Sequence, residues 1–84
     1  MKGKGDIRLV VERLLATNGD GGPVDDDESL FVSGRLQSID AVEVVVFLEE
    51  DFGVDFTEIG FDREKIDSIN AIHALTLPAS AHSK

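Results

Sequence analysis

The chain opens with apolar residues spaced as on one face of a helix. The positions that recur at intervals of three and four residues are Ile7, Val10, Val11, Leu14 and Leu15. This spacing is typical of an amphipathic α-helix. Asp6 is suited to cap its start, and Asn18-Gly19 is suited to end it. We therefore predict a first helix with one apolar face packed on a core.

A long segment without periodicity follows, from Asn18 to Gly34. Its turn-forming residues, which interrupt any regular structure, are Gly19, Gly21, Gly22 and Pro23. The run Asp25-Asp26-Asp27-Glu28 favours a solvated acidic loop, since its spacing is not that of a calcium-binding loop. We expect the apolar triplet Leu30-Phe31-Val32 to hold the loop against the core.

The second predicted helix, Ser38 to Phe52, has apolar residues on two sides. Ser38 is expected to cap it and Gly53 to end it. At about 100° per residue, the side expected to face the core consists of Val44, Val45, Leu48 and Phe52. The opposite side consists of Ile39, Val42 and Val46, with Glu43 and Glu50 beside it and Asp40 and Phe47 further round.

A surface helix in a chain of 84 residues cannot bury two opposite sides against one core. The second side is therefore either covered by another segment or exposed. An exposed apolar strip flanked by charges of one sign is typical of a partner-binding surface. We favour a partner-binding surface, although the sequence by itself leaves both alternatives open.

The last third of the chain predicts two shorter helices. Val54 to Gly60 is expected to be irregular, and Asp62 to Ile66 to form a short third helix. Asp67 or Ser68 caps a fourth helix, whose apolar positions are Ile69, Ile72 and Leu75 and which Pro78 ends. The predicted fold is all-α: a small four-helix bundle with three longer helices and a short third one, in one domain over residues 1–77. Residues 78–84 are expected to be a flexible tail.

Composition and charge narrow the possible functions. The net charge is −9, and no lysine or arginine occurs between Leu36 and Asp62. Such an acidic surface disfavours nucleic acid and anionic membranes and favours a basic protein partner.

The absence of cysteine excludes disulfides and thiolate metal sites. The longest apolar run, Val44 to Leu48, is too short to span a membrane, and the N-terminus does not resemble a secretory signal. We expect a soluble, cytoplasmic monomer.

No catalytic or metal-binding motif is present. The histidines are His73 and His82, and neither has a partner at metal-ligand spacing. A hydrolytic triad needs a histidine, a nucleophile and a carboxylate on a rigid scaffold, and no nucleophile-elbow pattern occurs. The glycines before Pro23 precede four acids, which would repel phosphate. We therefore predict that the protein is not an enzyme and binds no metal.

The stretch from Leu30 to Gly53 resembles the acyl carrier protein family. That family has an Asp-Ser-Leu motif at the start of its second helix, followed by an acidic helix of the type Asp-x-Val-Glu…Leu-Glu-Glu-x-Phe. Here Gln37-Ser38-Ile39 is followed by Asp40-Ala-Val-Glu43 and by Leu48-Glu-Glu-Asp-Phe52. The similarity continues through Val54-Asp-Phe56 and the fourth helix, so that it covers Ile7 to Leu77.

The resemblance implies an acyl-carrier-like bundle in which Ser38 receives phosphopantetheine from coenzyme A. The thiol of that arm would carry an acyl group as a thioester, as in fatty acid biosynthesis or a specialised branch of lipid metabolism. Expected partners are a phosphopantetheinyl transferase and acyl-processing enzymes with basic surfaces. The residues expected to contact them are Gln37, Ile39, Asp40, Val42, Glu43, Val46, Phe47, Glu50 and Asp51. Alternatives are an aminoacyl or peptidyl carrier, or an unmodified acidic adaptor of the same fold.

Two features depart from the family pattern. Asp67-Ser68-Ile69 is closer to the literal motif than Gln37-Ser38-Ile39 is. No acidic helix follows Ser68, however, and a helix cap explains this serine fully, so we reject it as the attachment site. Gln37 stands where the family usually has aspartate. This departure predicts slower modification by a general transferase, or a dedicated transferase.

Overall fold

The computed structural model describes residues 3–77, and every regular element in that range is helical. The α-helices are α1 (Lys4–Thr17), α2 (Ser38–Phe47), α3 (Phe56–Ile59) and α4 (Ile69–Thr76). A π-helical segment, Leu48–Phe52, continues α2, and a 3₁₀ turn, Arg63–Ile66, precedes α4. The prediction of a small all-helical bundle is confirmed. The expected tail, residues 78–84 with His82 and Pro78, lies outside the described residues.

Helix α1 buries the predicted apolar face, but it begins earlier than predicted. Gly3 is its N-cap, and Asp6 is its third residue. The Gly3 amide donates to the Asp6 carboxylate at 2.8 Å, so Asp6 reaches back across the first turn instead of capping it. At the other end, Gly19 has a φ of +83°. That left-handed conformation favours glycine and confirms the predicted stop.

Helix α2 begins at Ser38, with Gln37 as its N-cap residue. The expectation that Ser38 is itself the cap is therefore wrong by one position, and Ser38 is the first helical residue. Gly53, at a φ of +72°, ends the π-helical segment as predicted. Val44 and Leu48 are buried in the core, and Val45 and Phe52 pack against it from partly buried positions.

The segment between α1 and α2 has no regular structure, as predicted, but its anchors differ in part from the expectation. Leu30 and Phe31 are buried, whereas Val32 is 77% exposed. The Asp67 carboxylate accepts hydrogen bonds from the Phe31 amide at 2.7 Å and the Val32 amide at 3.1 Å. It also accepts one from the Ser29 hydroxyl at 2.6 Å. The Asp67 carboxylate, next to α4, thus holds the part of the loop that Val32 was expected to hold.

Two residues of the acidic run in this loop, Asp26 and Glu28, form ion pairs, whereas Asp25 and Asp27 are exposed as predicted. Arg35 contacts Asp20 at 2.9 Å and Glu28 at 2.8 Å, and its hydrogen bond to Asp20 holds the pKa of that carboxyl below its usual value. Asp26 pairs with Lys4 and Arg8 of α1. Because Lys4 and Arg8 belong to α1, the local spacing around Asp26 did not indicate its ion pairs.

The last third of the chain contains one more helix than predicted. Helix α3 forms in the segment expected to be irregular, where the Asp55 side chain accepts from the Thr57 amide at 3.0 Å. The predicted third helix is the 3₁₀ turn. The Ser68 hydroxyl accepts from the Ala71 amide at 3.0 Å, which confirms Ser68 as the cap of α4.

A single core joins these elements. Residues from α1, the loop, α2 and α4 together form one cluster of buried apolar side chains. None of the helices between residues 3 and 77 is long and apolar enough to cross a membrane.

Candidate functional site

Ser38 is an exposed serine at the first position of α2. The Arg63 guanidinium, in the 3₁₀ turn, donates to the Ser38 hydroxyl oxygen across 3.4 Å. That separation is longer than a typical hydrogen bond. The contact nevertheless places the serine next to an exposed cation, which lies 25 residues further along the chain.

A groove opens at Ser38 and runs between α2 and the segment before the 3₁₀ turn. It has a volume of about 280 Å³, and its lining consists of Ser38, Ala41, Val42, Val45, Val46, Phe61 and Arg63. Apart from Ser38 and Arg63, the lining side chains are apolar. The volume lies just below the range of about 300–1,000 Å³ that is usual for small-molecule sites. The groove therefore suits a slender or short ligand that begins at the serine.

Phe61 and Arg63 were not among the residues predicted for the site. Phe61 is 53% exposed, and its ring meets that of Phe56 edge to face at a centroid distance of 6.2 Å. One signal for each residue was visible in the sequence. Phe61 is an isolated aromatic in a polar stretch, and Arg63 is the first basic residue after the acidic segment. Neither signal indicates proximity to Ser38, which arises from the path of the chain between α2 and α4.

The second apolar side of α2 is exposed. We call Ile39, Val42 and Val46 the exposed strip; their exposed fractions are 69%, 57% and 42%. Val42 and Val46 also line the groove. Of the two alternatives that the sequence left open, the structure therefore shows an uncovered strip, and this strip starts one residue after Ser38.

Acidic residues lie beside the strip on the face toward α1. Glu43, Glu50 and Asp51 are exposed. Together with Val46, Phe47 and residues of α1 they line a shallow depression. Phe47 is partly buried, and its ring meets Phe52 edge to face at 5.6 Å. Gln37 is exposed immediately before Ser38. The predicted contact residues that line this one depression are thus Glu43, Val46, Phe47, Glu50 and Asp51.

Asp40 differs from the other predicted contact residues because it is only 5% exposed. Its carboxylate accepts from the Asn18 side-chain amide at 2.8 Å and from the Gln37 backbone amide at 2.9 Å. Asp40 therefore joins the start of α2 to the end of α1. Its burial differs from the exposed position expected of a partner-contacting residue, because its carboxylate is hydrogen-bonded within the chain.

Two other polar residues that the sequence raised as candidates, Ser68 and His73, lie on α4 or at its start. The Ser68 hydroxyl is used by the cap of α4, and His73 is partly buried. Between residues 3 and 77 there is no group of three or more histidine, cysteine, aspartate or glutamate side chains placed to hold a metal ion.

No family model matches the sequence, and no curated protein or solved structure matches it either. The geometry around Ser38 is therefore the basis for a functional proposal. It combines an accessible hydroxyl, a neighbouring guanidinium, an apolar groove and an apolar strip with acidic neighbours.

Proposed function

We propose that this protein is a non-catalytic carrier that holds an acyl group on a phosphopantetheine arm at Ser38 and presents it to partner enzymes. The observation that carries the proposal is that the exposed Ser38 lies where the groove and the exposed strip meet. A carrier needs a hydroxyl that a transferase can reach and a surface beside it that successive enzymes can recognise.

The residues around Ser38 fit a phosphopantetheine group. The serine hydroxyl is accessible, and Arg63 offers a cation at the position next to it. The groove offers apolar surface along the route away from the serine. When bound, the group supplies a terminal thiol on which an acyl cargo is held as a thioester. The fold supports the proposal only in the coarse sense of a small helical bundle; the acyl-carrier-like arrangement is part of the proposal.

Loading requires that the Ser38 hydroxyl oxygen form a bond to the pantetheine-side phosphorus of coenzyme A. The pyrophosphate bond of coenzyme A breaks, the hydroxyl proton is taken up by the transferase or solvent, and adenosine 3′,5′-bisphosphate leaves. The exposed first turn of α2 allows another protein's active site to reach the oxygen. The protein itself supplies the acceptor and the docking surface.

The exposed strip and its acidic neighbours suit enzymes with a basic docking surface. Apolar contacts at the strip would be surrounded by Glu43 and Glu50, which attract cationic side chains. Charges at the rim of an interface mainly accelerate association and fix the orientation of the partner. One surface can thus serve several enzymes in turn.

The proposal is tested by incubating the protein with coenzyme A, Mg²⁺ and a broad-specificity phosphopantetheinyl transferase, followed by mass spectrometry. One phosphopantetheine per chain is expected. Ser38→Ala should abolish loading. The matched control is Ser68→Asn, which removes the competing serine but keeps an N-cap residue, and it should load normally. Loading that persists in Ser38→Ala would overturn the assignment.

The same measurement on protein purified from its own cells separates the alternatives. A modified Ser38 supports a carrier, whereas an unmodified Ser38 supports an adaptor that uses the exposed strip without an arm. The mass of the thioester-bound cargo then distinguishes an acyl carrier from an aminoacyl or peptidyl carrier.

A further inference from the structure

We propose that Arg63 is a positioning residue for an anionic phosphodiester on Ser38, and that this contact turns the attached arm into the groove beside α2. The inference rests on the proposed function, since it requires that Ser38 be loaded. It adds to that function a specific electrostatic contact and a direction for the arm.

The distance between the two side chains supports the contact. The Arg63 Nη2 atom lies 3.4 Å from the Ser38 hydroxyl oxygen, and in a phosphodiester the non-bridging oxygens lie just beyond that atom. The guanidinium can therefore reach them by side-chain rotation alone. Its planar fork of donors matches two phosphate oxygens, and hydrogen bonds between ionised groups are roughly twice as strong as neutral ones.

The charges around Arg63 also leave it available for an anion. Arg8 and Arg35 each form ion pairs with carboxylates, whereas no carboxylate within residues 3–77 lies at ion-pair distance from Arg63. The neighbouring cation, Lys65, donates to the Ile59 carbonyl oxygen at 3.0 Å. In a chain with a net charge of −9, an exposed arginine whose observed polar contact is a serine hydroxyl is suited to an added negative charge at that serine.

The groove determines where an arm held in this way would go. Ser38 and Arg63 are its polar lining, and Val42, Val46 and Phe61 are among the apolar residues that form the rest. A phosphodiester fixed between Ser38 and Arg63 has the apolar lining directly beside it. Apolar parts of the arm gain by lying against exposed Phe61 and valine surface. The phosphate contact and the apolar contact therefore favour the same direction.

The experiment uses ¹⁵N,¹³C-labelled protein loaded with phosphopantetheine and compares wild type with Arg63→Gln and Arg63→Lys. The readouts are the Arg63 side-chain N–H resonance, the ³¹P resonance, and NOEs from the arm's methyl groups to Phe61 and Val46. Lys4→Gln is the matched control, because Lys4, on α1, pairs with Asp26 and is not part of the groove lining, and its loss changes the net charge equally.

In the wild type, loading should shift the Arg63 resonance and produce the arm-to-groove NOEs. An exposed ion pair is weak, so Arg63→Gln should lower the docked population by roughly two- to fivefold. Arg63→Lys should retain part of it, and Lys4→Gln should match the wild type. Added salt should reduce docking in the wild type but not in Arg63→Gln, because salt screens exposed charges.

Two kinds of failure are distinguishable. If the wild-type protein is not loaded at Ser38, the proposed function fails and this inference fails with it. If loading is normal but the Arg63 resonance does not move, or if Arg63→Gln has the same NOEs and salt dependence as the wild type, only the role of Arg63 is overturned. Spectra of the unloaded variants show whether each is folded.

Discussion

Two valines on α2 should respond very differently to the same substitution. Val44 is 1% exposed and belongs to the core, whereas Val46 is 42% exposed and belongs to the exposed strip. They are two positions apart on one helix, so that helix propensity and chemical change are matched. The pair therefore tests directly whether α2 has one core-facing side and one side that is available to partners.

The expected losses follow from burial. Valine to alanine removes two methyl groups, worth about 0.8 kcal/mol each when fully buried, or about 1.6 kcal/mol for Val44. A residual cavity increases this loss in the free energy of unfolding by about 1 kcal/mol, and the better helix propensity of alanine reduces it by about 0.5 kcal/mol. Val44→Ala should thus cost about 2 kcal/mol. For Val46 the transfer loss is about 0.9 kcal/mol, scaled by its exposure. No enclosed cavity forms there, so the net loss is about 0.4 kcal/mol.

Urea unfolding followed by far-UV circular dichroism measures both free energies of unfolding, since the chain has no tryptophan or tyrosine for fluorescence. Under conditions where both variants are folded, Val46→Ala should lower kcat/KM for the transferase, and Val44→Ala should leave it near the wild-type value. A loss for Val46→Ala close to the roughly 2 kcal/mol expected of Val44→Ala would show that Val46 is a core residue. The assignment of Val46 to the exposed strip, on which the proposed docking depends, would then be wrong.

The remaining predictions concern charge and hydrogen bonding. Glu43→Lys or Glu50→Lys should slow association with a basic partner and make the association rate less dependent on salt. The circular dichroism spectrum should be unchanged. An unaltered association rate would exclude these residues from the interface. Gln37→Asp should raise initial loading rates with a general transferase by roughly five- to thirtyfold, as expected when a neutral hydrogen bond becomes charged, whereas equal rates would mean that position 37 does not limit modification. Asp67→Ala should cost about 2–3 kcal/mol in urea unfolding, because it leaves loop donors without their acceptor; a cost below about 1 kcal/mol would show that the loop is held elsewhere. Burial raises the pKa of Asp67, but hydrogen bonds from the Ser29 hydroxyl and loop amides outweigh it and leave that pKa below its usual value. The stability from Asp67 should therefore be present above about pH 4 and be lost as pH falls through the lowered pKa, and Asp67→Asn should make acid unfolding shallower over that range.

Local spacing was sufficient to predict the features that depend on neighbouring residues. The buried face of α1, the end of the second helix at Gly53 and the cap at Ser68 all follow from residues within a few positions of one another. The two-sided pattern of α2 was also visible, because side-chain direction in a helix repeats with a fixed angle. The pattern could not show whether the second side was covered, since that depends on where the rest of the chain runs.

Contacts between distant residues decided the rest. The burial of Asp40 depends on Asn18, and the loop is held by Asp67 rather than by Val32. Helix periodicity places a side chain on a face but does not say which distant donor or cation will meet it. For the same reason the sequence indicated Ser38 as the candidate attachment site, whereas only the tertiary structure brought Arg63 beside it and formed the apolar groove between them.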